Sequence, residues 1–272
     1  MKPARYVILD PTGNLTALVL DWDGADEAEI TTRLMTKSEQ VAYLEAPTLD
    51  GAIGAIRLMG GEFCGNAAMA AAGWLSRDRM EPGKEMTVPI QVSGAGGLVF
   101  CRVKGNADGS FTGTAEMPRV LEIREEFRDG EQYTAVRMEG ILHLIREGGA
   151  FLERAEAERR LREAAAERPE EEAIGLMDRN PETGETRPLV YVRGSGTTVW
   201  ETACGSGSAA IGAAEARKQG KDGIFRTEIR QPGGVIRAEA EAENGRITAV
   251  RIAGTVRMGE ETELRDGEEN PG

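Results

Sequence analysis

One histidine and three cysteines are all the imidazole and thiol ligands this chain of 272 residues carries. No cluster of them has metal-ligand spacing, which argues against a zinc-type site. Three cysteines also make no disulfide framework, so the expected setting is the cytoplasm. No apolar run reaches the ~18 residues of a membrane-spanning helix. The start, Met1 to Tyr6, leads into a strand-like stretch without the apolar segment of a secretory signal. A Gly-rich phosphate loop following a strand is missing as well. Positive charge is in short supply. The chain has 33 basic against 46 acidic residues, a net charge of −13, which argues against nucleic acid and against an anionic membrane surface.

What is present is a duplication. Cys64-Gly65-Asn66 opens the Ala-rich run Ala67 to Leu75, and Cys204-Gly205-Ser206 opens the small-residue run Gly207 to Ala214. Each pattern sets a thiol at the mouth of a helix, beside unpaired backbone N–H groups and the positive end of the helix dipole. That setting stabilises a thiolate and binds a carboxylate. Either cysteine alone would more often be a core residue. Two of three in the same pattern point instead to a pair of opposed thiols, one taking a proton from a carbon and the other returning one. Cys101, in the strand-like run Leu98 to Val103, is read as packing.

Most of the remaining chain reads as short strands with turns between them. Tyr6 to Asp10 and Leu15 to Asp21 flank the turn Pro11-Thr12-Gly13-Asn14. Asn244-Gly245 is a hairpin signal between Val235–Glu243 and Ile247–Met258. Besides the two Cys-led helices, Ala150 to Glu172 reads as a charged surface helix with a thin apolar stripe. The expected fold is α/β, with two similar domains, each a curved, mostly antiparallel sheet around a central helix. The expected boundaries are 1–117 for the first domain, containing Cys64, and 118–257 for the second, containing Cys204. Residues 258–272 are read as returning to the first.

These motifs resemble the diaminopimelate epimerase family over nearly the full length. The matched places, in order, are Gly13-Asn14, Cys64-Gly65-Asn66, Glu116 to Arg119, Met138 to His143, Glu201 to Gly207, Gln231 to Gly234 and Ile252 to Val256. The resemblance implies two α/β domains with the active site between them. It implies deprotonation at an amino-acid α-carbon without pyridoxal phosphate or any other cofactor, and without a metal. Cys64 and Cys204 would be the two bases. Backbone N–H groups at Gly65, Asn66, Gly205 and Ser206 would hold the α-carboxylate, His143 the α-amino group, and Asn14 would line the pocket. The partner is a small amino acid, and a homodimer is left open.

Departures from the family pattern bear on the substrate. The Glu-Arg-Gly usual ahead of the second Cys is replaced by Ser195-Gly196-Thr197, so the Arg that reads a distal amino-carboxylate is missing. The Asn and Pro of the usual Gly-Asn-Pro-His are Ile141 and Leu142, and Leu58 to Phe63 lacks the usual Asn and Asp-Gly. The altered motifs look closer to a branch of histidine racemases. Glu62 and Glu201, near the two cysteines, are candidates to read an amino group or a basic side chain, or else are helix-cap carboxylates. Trp74 is read as core, and Trp200 as core close enough to line the site. The alternatives are diaminopimelate epimerase itself, a dehydratase on the same scaffold, and an amino-acid-binding protein.

Overall fold

The computed structural model describes residues 4–22, 25–194 and 196–264. The chain forms two compact units: Met1–Phe63, Ala67–Gly113 and Thr255–Gly272 make the first, and Cys64–Asn66 with Thr114–Gly254 make the second. The triplet Cys64–Asn66 thus clusters with the second unit rather than with the sequence on either side of it.

In the first unit, β1 (Ala4–Pro11), β2 (Thr16–Asp21), β3 (Gln40–Glu45), β4 (Ala55–Leu58), β5 (Glu85–Val92), β6 (Leu98–Gly105) and β7 (Phe111–Glu116) are neighbours in that order. The β1–β2 turn bends through Thr12 and Gly13, both at positive φ. Helix α1 (Glu27–Leu34) carries the chain over to β3, which lies parallel to β2. No helix is expected here from the sequence pattern. α1 is a short amphipathic segment capped by Asp26, which accepts from the Ala28 N–H, and it buries Ile30 and Leu34 against Val41 and Tyr43. Helix α2 (Gly65–Ser76) is buried nearly all round: Ala67, Ala68, Met69, Ala70, Ala71 and Ala72 are at most 1% exposed. A Cβ on Gly73 would sit 1.8 Å from the Phe111 ring, which fixes glycine at the contact between α2 and β7. Cys101 is buried on β6 opposite Val88.

The second unit repeats the plan. β8 (Val120–Arg128), β9 (Glu131–Met138) and β10 (Ile141–Glu147) run antiparallel to one another. Helix α3 (Arg154–Glu167) then crosses to β11 (Ala173–Arg179), parallel to β10, and β12 (Thr186–Val192) and β13 (Thr197–Trp200) complete a six-stranded sheet. Strand, helix, parallel strand, antiparallel strand, Cys-led helix therefore occurs twice in the chain, the second time with β13 added before the helix. α3 is shorter than Ala150–Glu172 and less solvated than its charge suggests. Ala157, Leu161, Ala164 and Ala165 pack on Leu142, Leu144, Ile174, Leu176 and Leu189. Strand side chains alternate between faces, so His143, Gly175 and Met177 lie on the opposite face, toward α4 (Gly205–Lys218).

Helix α4 packs against β14 (Gly223–Gln231) and β15 (Gly234–Glu243) as well as against β8, β9 and β10. Its Gly and Ala residues allow this enclosure: a Cβ on Gly212 would lie 2.5 Å from Ala238 Cβ. The hairpin from β15 to β16 (Arg246–Leu264) turns at Asn244 and Gly245, both at positive φ, as the Asn-Gly pair predicts. The last part of β16 pairs with β1, from Val256 opposite Pro11 to Leu264 opposite Ala4. Of the tail expected to return to the first unit, residues 265–272 lie outside the described residues. Among the described residues, no helix is long and apolar enough to cross a membrane.

Candidate active site

Cys204 is the N-cap of α4. Its backbone is extended (φ −97°, ψ 111°), and its Sγ accepts from the Gly207 N–H at 3.3 Å. The cap is held by Gln231. The Cys204 N–H donates to Gln231 Oε1 at 2.7 Å, Gln231 Nε2 donates to Ser208 Oγ at 2.8 Å, and the Ser208 hydroxyl donates to the Cys204 carbonyl at 2.7 Å. This loop of bonds fixes where the sulfur points. The sequence places Gln231 only in a segment resembling the family's closing strands, with no role at the site. A Cβ on Gly207 would lie 2.1 Å from Met177 Sδ and 3.2 Å from Cys204 Sγ.

Burial pushes the Cys204 thiol well above its usual range, and the Glu201 carboxylate adds to this through its charge and a hydrogen bond. The Ser206 hydroxyl and the Gly207 N–H pull the other way. Cys204 is therefore held as a thiol. Cys64 is half-buried, and no disulfide involves any of the three cysteines.

The start of α2 meets the start of α4. Asn66 Nδ2 donates to the carbonyl of Ala203, next to Cys204, at 3.0 Å. A Cβ on Gly65 would lie 3.0 Å from Ile252 Cδ1, and one on Gly205 2.8 Å from the same methyl. One isoleucine methyl thus lies against both helix starts, where the two glycines leave it room, and Met117 Sδ lies closer still to the Gly65 Cβ position, at 2.5 Å. The Asn66 amide is oriented by its bond to Ala203, which leaves Oδ1 buried without a partner, 3.1 Å from the Cβ position of Gly205. First-turn N–H groups of both helices lack intrahelical acceptors by geometry. Oriented donors and one acceptor thus converge where the two Cys-Gly motifs meet.

His143, on β10, is wholly buried. Its Nε2 is 2.9 Å from Ser206 Oγ, and Ser206 Oγ is 3.6 Å from Cys204 Sγ. Its Nδ1 lies over Gly175, whose Cβ would stand 2.3 Å away, and has no partner. Burial pushes the imidazole pKa down to about 3, so the ring is neutral. It reaches the mouth of α4 through Ser206.

The other sequence candidates are more dispersed. Asn14, in the first unit, donates to Glu39 at 2.9 Å and accepts from Gln40 at 2.7 Å. Glu62 is exposed, with its carbonyl accepting from the Ser93 hydroxyl at 2.8 Å. Trp200 is occupied elsewhere: its indole donates to Glu158 on α3 at 2.9 Å and packs on the core beneath that helix. Trp74 is buried, with the Arg77 guanidinium 3.9 Å above its ring. Ser195 lies outside the described residues. Among the described residues, no group of three or more His, Cys, Asp or Glu could hold a metal ion.

A duplicated strand–helix–strand plan with a buried helix in each repeat is a fold found among solved racemases and epimerases. Solved structures bear out the fold. A probable proline racemase from Agrobacterium radiobacter K84 superposes with a TM-score of 0.66 at 14% identity, covering 98% of this chain and 94% of its own. A hydroxyproline epimerase from Agrobacterium vitis gives 0.66 at 15% identity, covering 100% and 95%. A phenazine biosynthesis protein of the PhzF family from Bacillus anthracis gives 0.69 at 15% identity, covering 97% and 100%. The sequence goes further. The family model "Histidine racemase CntK N-terminal domain" matches residues 4–263, and the chain belongs to that family. Histidine racemase of Fusobacterium nucleatum is 29% identical over 237 residues, 84% of this chain and 86% of the relative. That of Staphylococcus aureus is 26% identical over 238 residues, 84% and 85%. The chain is an isomerase of the racemase type.

Proposed function

We propose that this chain racemises histidine with Cys64 and Cys204 as its two acid–base groups and without pyridoxal phosphate. The observation that carries the reading is the meeting of the two Cys-led helix starts across Ile252. The α-hydrogen of an amino acid is a very weak acid, so the charge that develops on the carboxylate must meet donors already in place. First-turn N–H groups at Gly65, Asn66, Gly205 and Ser206 supply them, each such donor contributing on the order of 3 kcal/mol. The unpartnered Asn66 Oδ1 accepts from the α-ammonium group, since an ammonium is donor-only.

Cys204, kept protonated by burial and by Glu201, delivers a proton to the carbanion. Cys64 removes one from the other face, and the roles exchange in the reverse direction. The side chain is chosen by what surrounds it. A second carboxylate would find no arginine in place of the family's usual one, and a buried unpaired carboxylate is excluded by several kcal/mol. Glu201 instead offers a partner to an imidazole N–H. A mechanism that needs two reduced thiols also suits the cytoplasm.

The test is kcat/KM for L-histidine and for meso-diaminopimelate with purified, reduced protein. Faster turnover of L-histidine is expected. Faster turnover of diaminopimelate would return the chain to the epimerase reading, and a keto or imino product would make it a dehydratase.

A further inference from the structure

His143, Ser206 and Cys204 form a line of side chains: Nε2 to Oγ at 2.9 Å, then Oγ to Sγ at 3.6 Å. A serine hydroxyl has one proton to give, so the line has a polarity, and His143 sets it. Nδ1 lies over Gly175 with no acceptor near it. A buried orphan N–H costs more than a buried orphan lone pair, so the ring proton belongs on Nε2. Nε2–H then donates to Ser206 Oγ, which frees the serine proton to point at Cys204 Sγ.

We propose that Ser206 is a positioning residue, locked by His143 as a hydrogen-bond donor to the Cys204 sulfur. With the Gly207 N–H at 3.3 Å it gives the sulfur two donors. A thiol does not require them, but a thiolate does. They lower the cost of the moment at which Cys204 has given up its proton to the substrate. No proton travels along the line, because the wholly buried ring stays neutral. The charged and titratable group that opposes the two donors at the sulfur is Glu201. The inference rests on the racemase reading for its catalytic meaning, but the geometry of the line does not.

Because the chain has one histidine, its tautomer can be read without assignment. Long-range 1H–15N correlation on 15N-histidine-labelled protein, without substrate, should show a protonated Nε2 and a bare Nδ1 from pH 5 to 8. A protonated Nδ1 would reverse the line and overturn the proposal, whatever the protein racemises. Kinetics form the second arm. Ser206→Ala should lower kcat for L-histidine about tenfold with little change in KM, the effect of removing one hydrogen bond to a charged group. Ser206→Thr, which restores the hydroxyl, should recover most of it. Ser206→Ala at the wild-type kcat, or no recovery in a folded Ser206→Thr, would contradict the role. Failure of the substrate assignment would show instead as no turnover of histidine by the wild-type protein alongside the expected tautomer.

Discussion

Acidification from pH 7 to pH 5 should cost the folded protein about 2 kcal/mol through His143 alone. The unfolded chain takes up a proton at the imidazole near the usual 6.5. The folded chain does so only at about 3, because the ring is buried and nothing pairs with its charge. Between those values the unfolded state holds the extra proton, so stability falls as the pH falls and is flat above about 7. In the window from pH 7 to 5 this residue dominates, because the carboxylates begin to titrate only at its lower end. Glu131, which the Arg146 guanidinium holds down to about 2, begins to lose its contribution as the pH nears the usual carboxylate value and loses most of it between there and about 2. Urea unfolding of the wild type at the two pH values should show the loss. His143→Gln can still donate to Ser206 but does not titrate, so its stability should hardly change over the same interval. Equal pH dependence in the two proteins, or none in the wild type, would refute the account of a neutral, wholly enclosed imidazole.

Other perturbations reach different parts of the molecule. Cys64→Ser and Cys204→Ser should each lower racemisation by several orders of magnitude, since a hydroxyl ionises far less readily than a thiol, whereas Cys101→Ser should retain most of the activity; chiral chromatography of the product decides. Gly205→Ala forces a Cβ to 2.8 Å from Ile252 Cδ1 and 3.1 Å from Asn66 Oδ1. It should cost about 1–3 kcal/mol in thermal unfolding and lower kcat, and Ile252→Val should return part of both. Arg146→Met removes the charge partner of Asp178, which is 1% exposed and whose Oδ1 accepts from Arg146 Nη1 at 2.8 Å, leaving it the Leu152 N–H on Oδ2. Chemical denaturation should register a loss of about 3–5 kcal/mol, and the cost should shrink when Asp178 is replaced as well.

Much of this was legible in the chain because local chemistry and tertiary structure agree. Asn244-Gly245 specifies its hairpin, and the small residues after Cys64 and Cys204 can only be helices that something encloses. The parts that were not legible depend on contacts distant in sequence. α1 is eight residues long, and its apolar pair makes sense only once Val41 and Tyr43 are beside it. The apolar stripe of α3 is largely alanine, which reads as surface until the sheet beneath is known. Trp200 is close to Cys204 in sequence, but β13 turns its indole toward Glu158. Gln231 holds the Cys204 cap across 27 residues of chain, and no local pattern announces that bond.

The central claim, that two thiols exchange the α-hydrogen of histidine from opposite faces, is tested most directly in deuterium oxide. Purified, reduced protein incubated with L-histidine should yield D-histidine carrying deuterium at Cα, followed by proton NMR and mass spectrometry, and both Cys64→Ser and Cys204→Ser should abolish formation of the D-isomer. D-histidine that keeps its original α-proton, or unimpaired racemisation by either serine variant, would contradict the two-thiol account.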